Sequence, residues 1–203
     1  MREHSSRVYP EEPCGPFPTP PGTYTDPEGR EIALSVVTHP EDTVRGVADG
    51  ERTPIDVLTD MYQQFDPADR AQGIPPSSED RIRRWLEPLL ENGVNVVASH
   101  DGSVIGHATL VPDTDEPASL TAPGDVEWEL AIFVLQDYQR GGIGTQLLEH
   151  LLGHASSLGI DRVWLTVERW NGPAISLYKR VGFELCGAES FEQEMSILLG
   201  AGV

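Results

Sequence analysis

The stretch Asp125-Val126-Glu127-Trp128-Glu129-Leu130-Ala131-Ile132-Phe133-Val134-Leu135, followed after three residues by Gln139-Arg140-Gly141-Gly142-Ile143-Gly144-Thr145 and then by Gln146-Leu147-Leu148-Glu149-His150-Leu151-Leu152, carries the decisive change of period. Val126, Trp128, Leu130, Ile132 and Val134 alternate with Glu127, Glu129, Ala131 and Phe133, which is a strand with two carboxylates on one face. Leu147, Leu148, Leu151, Leu152, Ala155 and Leu158 then recur at spacings of three and four, a helix ended by Gly159. Glycines between a strand and a helix start let the backbone turn tightly, and the free N–H groups of that start receive phosphate oxygens. Arg140 adds a cation there. A nucleotide P-loop would require a Gly-Lys-Ser/Thr that this segment lacks. A dinucleotide fingerprint would require a third glycine and a place after the first strand.

Outward from this segment, Val94–Ser99 and Ser103–Val111 flank His100-Asp101-Gly102 and read as an antiparallel hairpin. Upstream, Glu31–Thr38 reads as a strand, Pro54–Phe65 as a helix with Pro54 in its first turn, and Glu79–Glu91 as a helix capped by Ser78 after a Pro/Ser stretch from Gly73. Downstream come a strand (Arg162–Val167), a helix (Gly172–Val181) and strands from Phe183 to about Leu199. This order predicts an α/β (α+β) domain with a mixed sheet and helices on both faces. Residues 1–30 hold seven prolines and read as an extended arm in which a helix is excluded and a strand hardly allowed; residues 31–203 form the domain.

Fourteen Lys and Arg against 33 Asp and Glu give a formal charge of −19, and Lys179 is the only lysine. Such repulsion is largely screened at molar salt, where the Debye length is about 3 Å, so the composition suggests a salt-adapted, halophilic protein, with an ordinary acidic protein and attraction of a cationic acceptor as the alternatives. It disfavours nucleic acid and anionic membranes as partners. No spanning segment or secretory leader is visible, and two isolated cysteines, Cys14 and Cys186, fit a cytoplasmic location. His150 and His154 are read as a pair on the polar side of their helix with no third ligand, so no metal is expected.

With the Gln139–Gly144 loop goes a second motif, Asn171-Gly172-Pro173-Ala174-Ile175-Ser176-Leu177-Tyr178-Lys179-Arg180-Val181-Gly182-Phe183, and the pair resembles the GCN5-related N-acetyltransferase superfamily from about Val94 to Phe183. The region around Met61–Pro76 is similar to the one preceding the acetyltransferase domain in some bacterial protein-lysine acetyltransferases. The resemblance implies a sheet splayed into a V between the strands ending near Val134 and Val167, with acetyl-CoA as cosubstrate. Its pantetheine would bond the main chain near Phe133, Val134 and Leu135, and its diphosphate would lie on Gln139, Arg140, Gly141, Gly142, Ile143, Gly144 and Thr145. Asn171 would bond the pantetheine or cap its helix.

An amine attacks a thioester only when neutral, so a base and a proton donor are needed. The resemblance assigns the base to Glu129, with Glu127 as competitor, and the acid to Tyr178, which also lies against the cofactor. An N–H of Val134 or Leu135 would meet the oxyanion. Trp164 and Trp170 are candidates for the acceptor cleft or for the core. No cysteine is placed for an acyl-enzyme, so direct transfer in a ternary complex is expected, to a small-molecule amine, a protein lysine or an N-terminal amine. A non-catalytic acetyl-CoA-binding module and a nucleotide-binding oxidoreductase are the alternatives. The C-terminal strands leave a homodimer open.

Overall fold

The computed structural model describes residues 7–37, 52–65, 75–189 and 191–200. Thr38 and residues 66–74, on which parts of the expected first strand, the pre-domain resemblance and the Pro/Ser stretch fall, lie outside the described residues.

The chain runs β1 (Gly22–Thr25), β2 (Glu31–Val37), α1 (Pro54–Gln63), α2 (Glu79–Asn92), β3 (Val94–His100), β4 (Ser103–Pro112), β5 (Trp128–Val134), α3 (Ile143–Ser157), β6 (Arg162–Glu168), α4 (Gly172–Val181), β7 (Glu184–Ala188) and β8 (Glu192–Leu198). One sheet has the order β1-β2-β3-β4-β5-β6-β8-β7, antiparallel throughout except where β5 meets β6. The β3–β4 turn has Asp101 at φ 47° and Gly102 at φ 77°, the two left-handed residues that match the twist of a tight hairpin. Thr53, which precedes α1, donates its hydroxyl to Asp56 in the first turn of that helix, whereas Ser78 stands at the start of α2 without a side-chain cap.

The alternation expected for β5 places its residues on two differently covered faces. Phe133 packs edge-on against Tyr62, Phe65 and Trp85, the aromatic residues of α1, its exit and α2. Val134 lies opposite Gly106 on the other face, where Leu147 of α3 closes over Gly106. The sheet is thus sandwiched, α1 and α2 on one side and α3 and α4 on the other.

From Arg7 onward the proline-rich segment follows the domain surface closely. Cys14 bonds the main chain at Leu198 and Gly200. A side chain at Gly153 would strike Phe17 and Pro18, so the absence of one lets this segment lie against α3. Four proline-free residues after Pro21 form β1, a strand where hardly one was expected; at the sheet's edge only one side of the backbone needs partners. This cover changes the reading of His150. It is 5% exposed, packed under Gly22 with Nδ1 against the Gln146 carbonyl, and is not a surface residue.

Candidate active site

β5 and β6 pair at two rungs, Trp128 with Val163 and Glu129 with Trp164. Beyond Glu129 they part: Leu130–Val134 stay bonded to β4, and Leu165–Glu168 to β8. The Leu135 N–H donates to the Ile105 carbonyl at 3.0 Å, which fixes the phase of the β4–β5 ladder. Odd-numbered residues of β5 therefore spend their main-chain groups on β4, and Leu130, Ile132 and Val134 present theirs to the gap. The open groups are those of Ile132 and Val134, where Phe133 and Leu135 had also been expected to contribute. Gln139 already uses one of them, donating Nε2–H to the Val134 carbonyl at 3.1 Å.

At the mouth of the gap the glycine loop enters α3. Arg140 (φ 63°) and Gly142 (φ 84°) are both left-handed, a curl that turns successive amides inward. The N–H groups of Arg140, Gly141, Gly142, Ile143 and Gly144 make no hydrogen bond to a described residue; the next amide, Thr145, already bonds back to the Gly142 carbonyl. Five consecutive donors without a partner among the described residues, at the positive end of a helix dipole, are suited to receive an anion. The curl is braced from the opposite end of the sequence. Tyr24 donates its hydroxyl to the Gly141 carbonyl at 2.9 Å, and Arg30 donates to the Asp137 carbonyl at 3.1 Å while lying over the Tyr138 ring. Buried Asp26 orients Arg30. Burial works against its charge, yet bonds from the Arg30 N–H and guanidinium hold its carboxyl below the ordinary range.

Gap and loop open into a cleft of about 580 Å³ between β5, α3 and α4. Val134, Gln139, Arg140, Gly142, Gly144, Thr145, Asn171 and Tyr178 all line it. Gly141, whose carbonyl accepts from Tyr24, and Ile143, fully buried in the core, are not among its lining residues. Ile132, Pro173, Ala174, Ser176, Leu177 and Arg180 complete the wall. Among the α4 members, Pro173 and Leu177, Ala174 and Tyr178, and Leu177 and Arg180 lie three or four residues apart and so share one side of the helix. In a chain of charge −19 the described lining includes two arginines and no carboxylate.

Tyr178 is buried against Phe183 at the cleft wall, and desolvation pushes its phenol up to about 12. Asn171 accepts the Ala174 N–H at 3.2 Å and so caps α4, leaving its side-chain NH₂ free for the cleft. Glu129 stands on the last paired rung, where the gap closes. Although it opens to solvent, its carboxyl is held above the ordinary range, chiefly by desolvation and then by Asp113 and Glu194, with Arg7 opposing. Glu127, two residues earlier on the same face, is bound at 2.6 Å by Arg7. Trp164 is buried beside Glu129 under the Arg7 guanidinium, and Trp170 is 66% exposed next to Phe191, outside both core and cleft. Among the described residues no group of three or more His, Cys, Asp or Glu is placed to hold a metal.

An uncharacterized N-acetyltransferase of Mycobacterium tuberculosis is 29% identical over 96 residues, 47% of this chain and 56% of that protein, so the chain spans about half the length of the curated relatives it matches. Among solved structures, the GNAT domain of S. lividans PAT has a TM-score of 0.68 at 20% identity, covering 88% of this chain and 96% of that one. A phosphinothricin acetyltransferase of Sinorhizobium meliloti in complex with AcCoA has a TM-score of 0.58 at 23% identity, covering 73% and 85%. The two structural likenesses are likenesses of fold. The sequence model of the acetyltransferase (GNAT) family matches residues 58–183, more than half of the chain, and the protein belongs to that family.

Proposed function

We propose that the protein is an N-acetyltransferase that moves the acetyl group of acetyl-CoA to a primary amine by direct transfer in a ternary complex. The observation that carries this reading is the run of five unpartnered amides at Arg140–Gly144, set at the mouth of a gap in the sheet and beside the two arginines of an otherwise uncharged cleft. A diphosphate satisfies such amides, and an amide-bearing arm beyond it can bond the open edge of β5 as an added strand. Arg140 and Arg180 supply counter-charge, and Asn171 offers a donor to the same arm. Bound there, acetyl-CoA supplies the activated acyl carbon.

Glu129, whose raised carboxyl is a better base than an ordinary glutamate, takes a proton from the acceptor ammonium. The neutral nitrogen bonds the acetyl carbon and the C–S bond breaks. Tyr178, protonated across the physiological range, gives its proton to the departing sulfur and recovers one from the new amide nitrogen. The Val134 N–H faces the gap and is the donor we assign to the oxyanion; the Leu135 N–H is committed to Ile105. The acceptor is a small-molecule amine or a protein lysine or N-terminal amine. We further infer a cytosolic, salt-rich setting from the net charge and the two free cysteines.

The test follows CoA thiol release against a panel of amines. Glu129→Gln and Tyr178→Phe should each lower kcat by about 10²-fold or more while acetyl-CoA binding persists. Turnover close to the parent in either variant removes that residue from the mechanism. Saturable CoA binding with no amine-dependent release would make the protein a binding module.

A further inference from the structure

The gap beyond Glu129 and Trp164 has two edges, and only that of β5 belongs to the cleft described above. On the β6 side the Leu199 N–H donates to the Asp161 carbonyl at 2.7 Å and the Arg169 N–H to the Phe191 carbonyl at 3.0 Å, bracketing the β6–β8 ladder and fixing its phase. Odd-numbered residues of β6 therefore bond β8, and Trp164, Thr166 and Glu168 turn their main-chain groups toward β5. Trp164 is used on the last rung, and the Glu168 carbonyl accepts the Asn171 N–H at 2.9 Å. The Thr166 N–H, the Thr166 carbonyl and the Glu168 N–H are left, a donor, an acceptor and a donor in succession with no partner among the described residues.

Main-chain groups on a strand cost free energy as they leave water unless something bonds them. Thr166 and Glu168 are half-buried, and the cleft takes Ile132 and Val134 from β5 but no residue of β6, so an arm bonded there leaves this second edge open. The edge has two fitting ends. It starts at the rung where Glu129 stands, and Glu168 lies on the same face as Glu129, a setting complementary to an ammonium in a chain of charge −19. Two residues past the end of β6 the rings of Trp170 and Phe191 meet with centroids 6.5 Å apart, both largely exposed. Two large apolar rings held in water beside an open strand edge offer a place to an apolar side chain of a partner.

We propose that the open edge of β6 binds the acceptor, and that the acceptor is an extended polypeptide presenting its N-terminal amine. Laid parallel to β6, its first residue puts the amine beside Glu129 and its first carbonyl on the Thr166 N–H. Its third residue donates to the Thr166 carbonyl and accepts from the Glu168 N–H, and its fifth reaches Trp170 and Phe191. A lysine acceptor would hold its main chain off by the length of its side chain, and a small amine would leave all three groups unbonded. This assignment rests on the acetyltransferase reading above and narrows its acceptor to a peptide N-terminus.

The peptide Ala-Ala-Ala-Ala-Leu amide with a free N-terminus, and alaninamide as its first residue alone, separate the possibilities on the unaltered protein. In the CoA-release assay the pentapeptide kcat/KM should exceed that of alaninamide by about 10²-fold, the order that three added hydrogen bonds supply. Replacing the third amide by an ester deletes the N–H aimed at the Thr166 carbonyl and should cost about tenfold; an ester at the fourth residue, whose N–H points away from β6, should cost about twofold at most. Trp170→Ala should lower the ratio of pentapeptide to alaninamide turnover severalfold. Calorimetry with CoA present should rank the peptides in the same order. No pentapeptide binding, equal kcat/KM for pentapeptide and alaninamide, or equal losses from the two esters would overturn the peptide edge. The ester pattern in binding without acetyl transfer would uphold the edge and count against the transferase reading alone.

Discussion

Glu129 shows how one position can be useful for chemistry at a cost to stability. Its carboxyl is raised, so the folded state binds its proton more tightly than the unfolded chain does; its contribution to stability is greatest below the unfolded pKa and falls as pH climbs through the folded one. In the proposed mechanism it must be ionised, so the acid limb of kcat/KM should titrate above the ordinary glutamate value. Glu129→Gln should lose activity while its Tm at pH 8 equals or exceeds that of the parent, read by thermal melts beside the rate assay. A variant that instead melts lower would mark Glu129 as a structural residue. The position was legible in the sequence because strand alternation is a local pattern: Glu127 and Glu129 had to share a face. Their different fates were not, since what separates them is Arg7, 120 residues from Glu127 in sequence. The same distance hid the bracing of the glycine loop by Tyr24 and Arg30, whose partners are more than a hundred residues away.

At the scale of elements, the helices α1 and α2 are tied to the sheet by a buried polar relay as well as by apolar packing. Tyr62 on α1 lies 2.7 Å from His107 Nδ1 on β4, His107 Nε2 lies 3.0 Å from Asn95 Oδ1 on β3, and Asn95 Nδ2 donates to the Leu89 carbonyl on α2. The chain of donors fixes the tautomer: with Asn95 Oδ1 as acceptor, Nε2 carries the proton and Nδ1 accepts from the phenol. Burial drives His107 down to about 3, from an ordinary value of 6.5. The unfolded chain therefore takes up a proton first as pH falls, so the relay's contribution is complete above about 6.5 and declines steadily toward 3. Denaturant melts between pH 7 and 5 should show stability falling. His107→Gln, an amide that can both donate and accept, should flatten that segment; an unchanged slope would contradict a neutral buried His107. The apolar periodicity announced both helices, but nothing in the one-dimensional pattern indicated that Tyr62, Asn95 and His107 meet, because polar residues on buried faces are recognised only once their partners are known.

Across the whole molecule, charge is distributed by function. The chain carries −19, yet the described lining of the cleft between β5, α3 and α4 holds two arginines and no acid, whereas Asp113, Glu127 and Glu194 surround Arg7 on the other face of the sheet. Repulsion among the remaining carboxylates should make stability rise with KCl from low ionic strength toward molar salt, where the Debye length shrinks to about 3 Å. A melting temperature flat or falling over that range would remove salt adaptation as the reason for the acidity. The succession of elements from Glu31 onward and the two motifs were readable before any coordinates because each is set by local periodicity and glycine placement, whereas β1 and the order of the strands in the sheet were not. The opening itself is a property of the assembled sheet, appearing only where β5 and β6 stop pairing after Glu129 and Trp164. That opening and its loop are most directly tested by following backbone amide resonances while CoA, and separately pantetheine without a diphosphate, is titrated in. CoA should shift the amides of Arg140–Gly144 together with those of Ile132 and Val134, and pantetheine should shift only the strand pair; saturable CoA binding that leaves the loop amides unmoved would contradict the account.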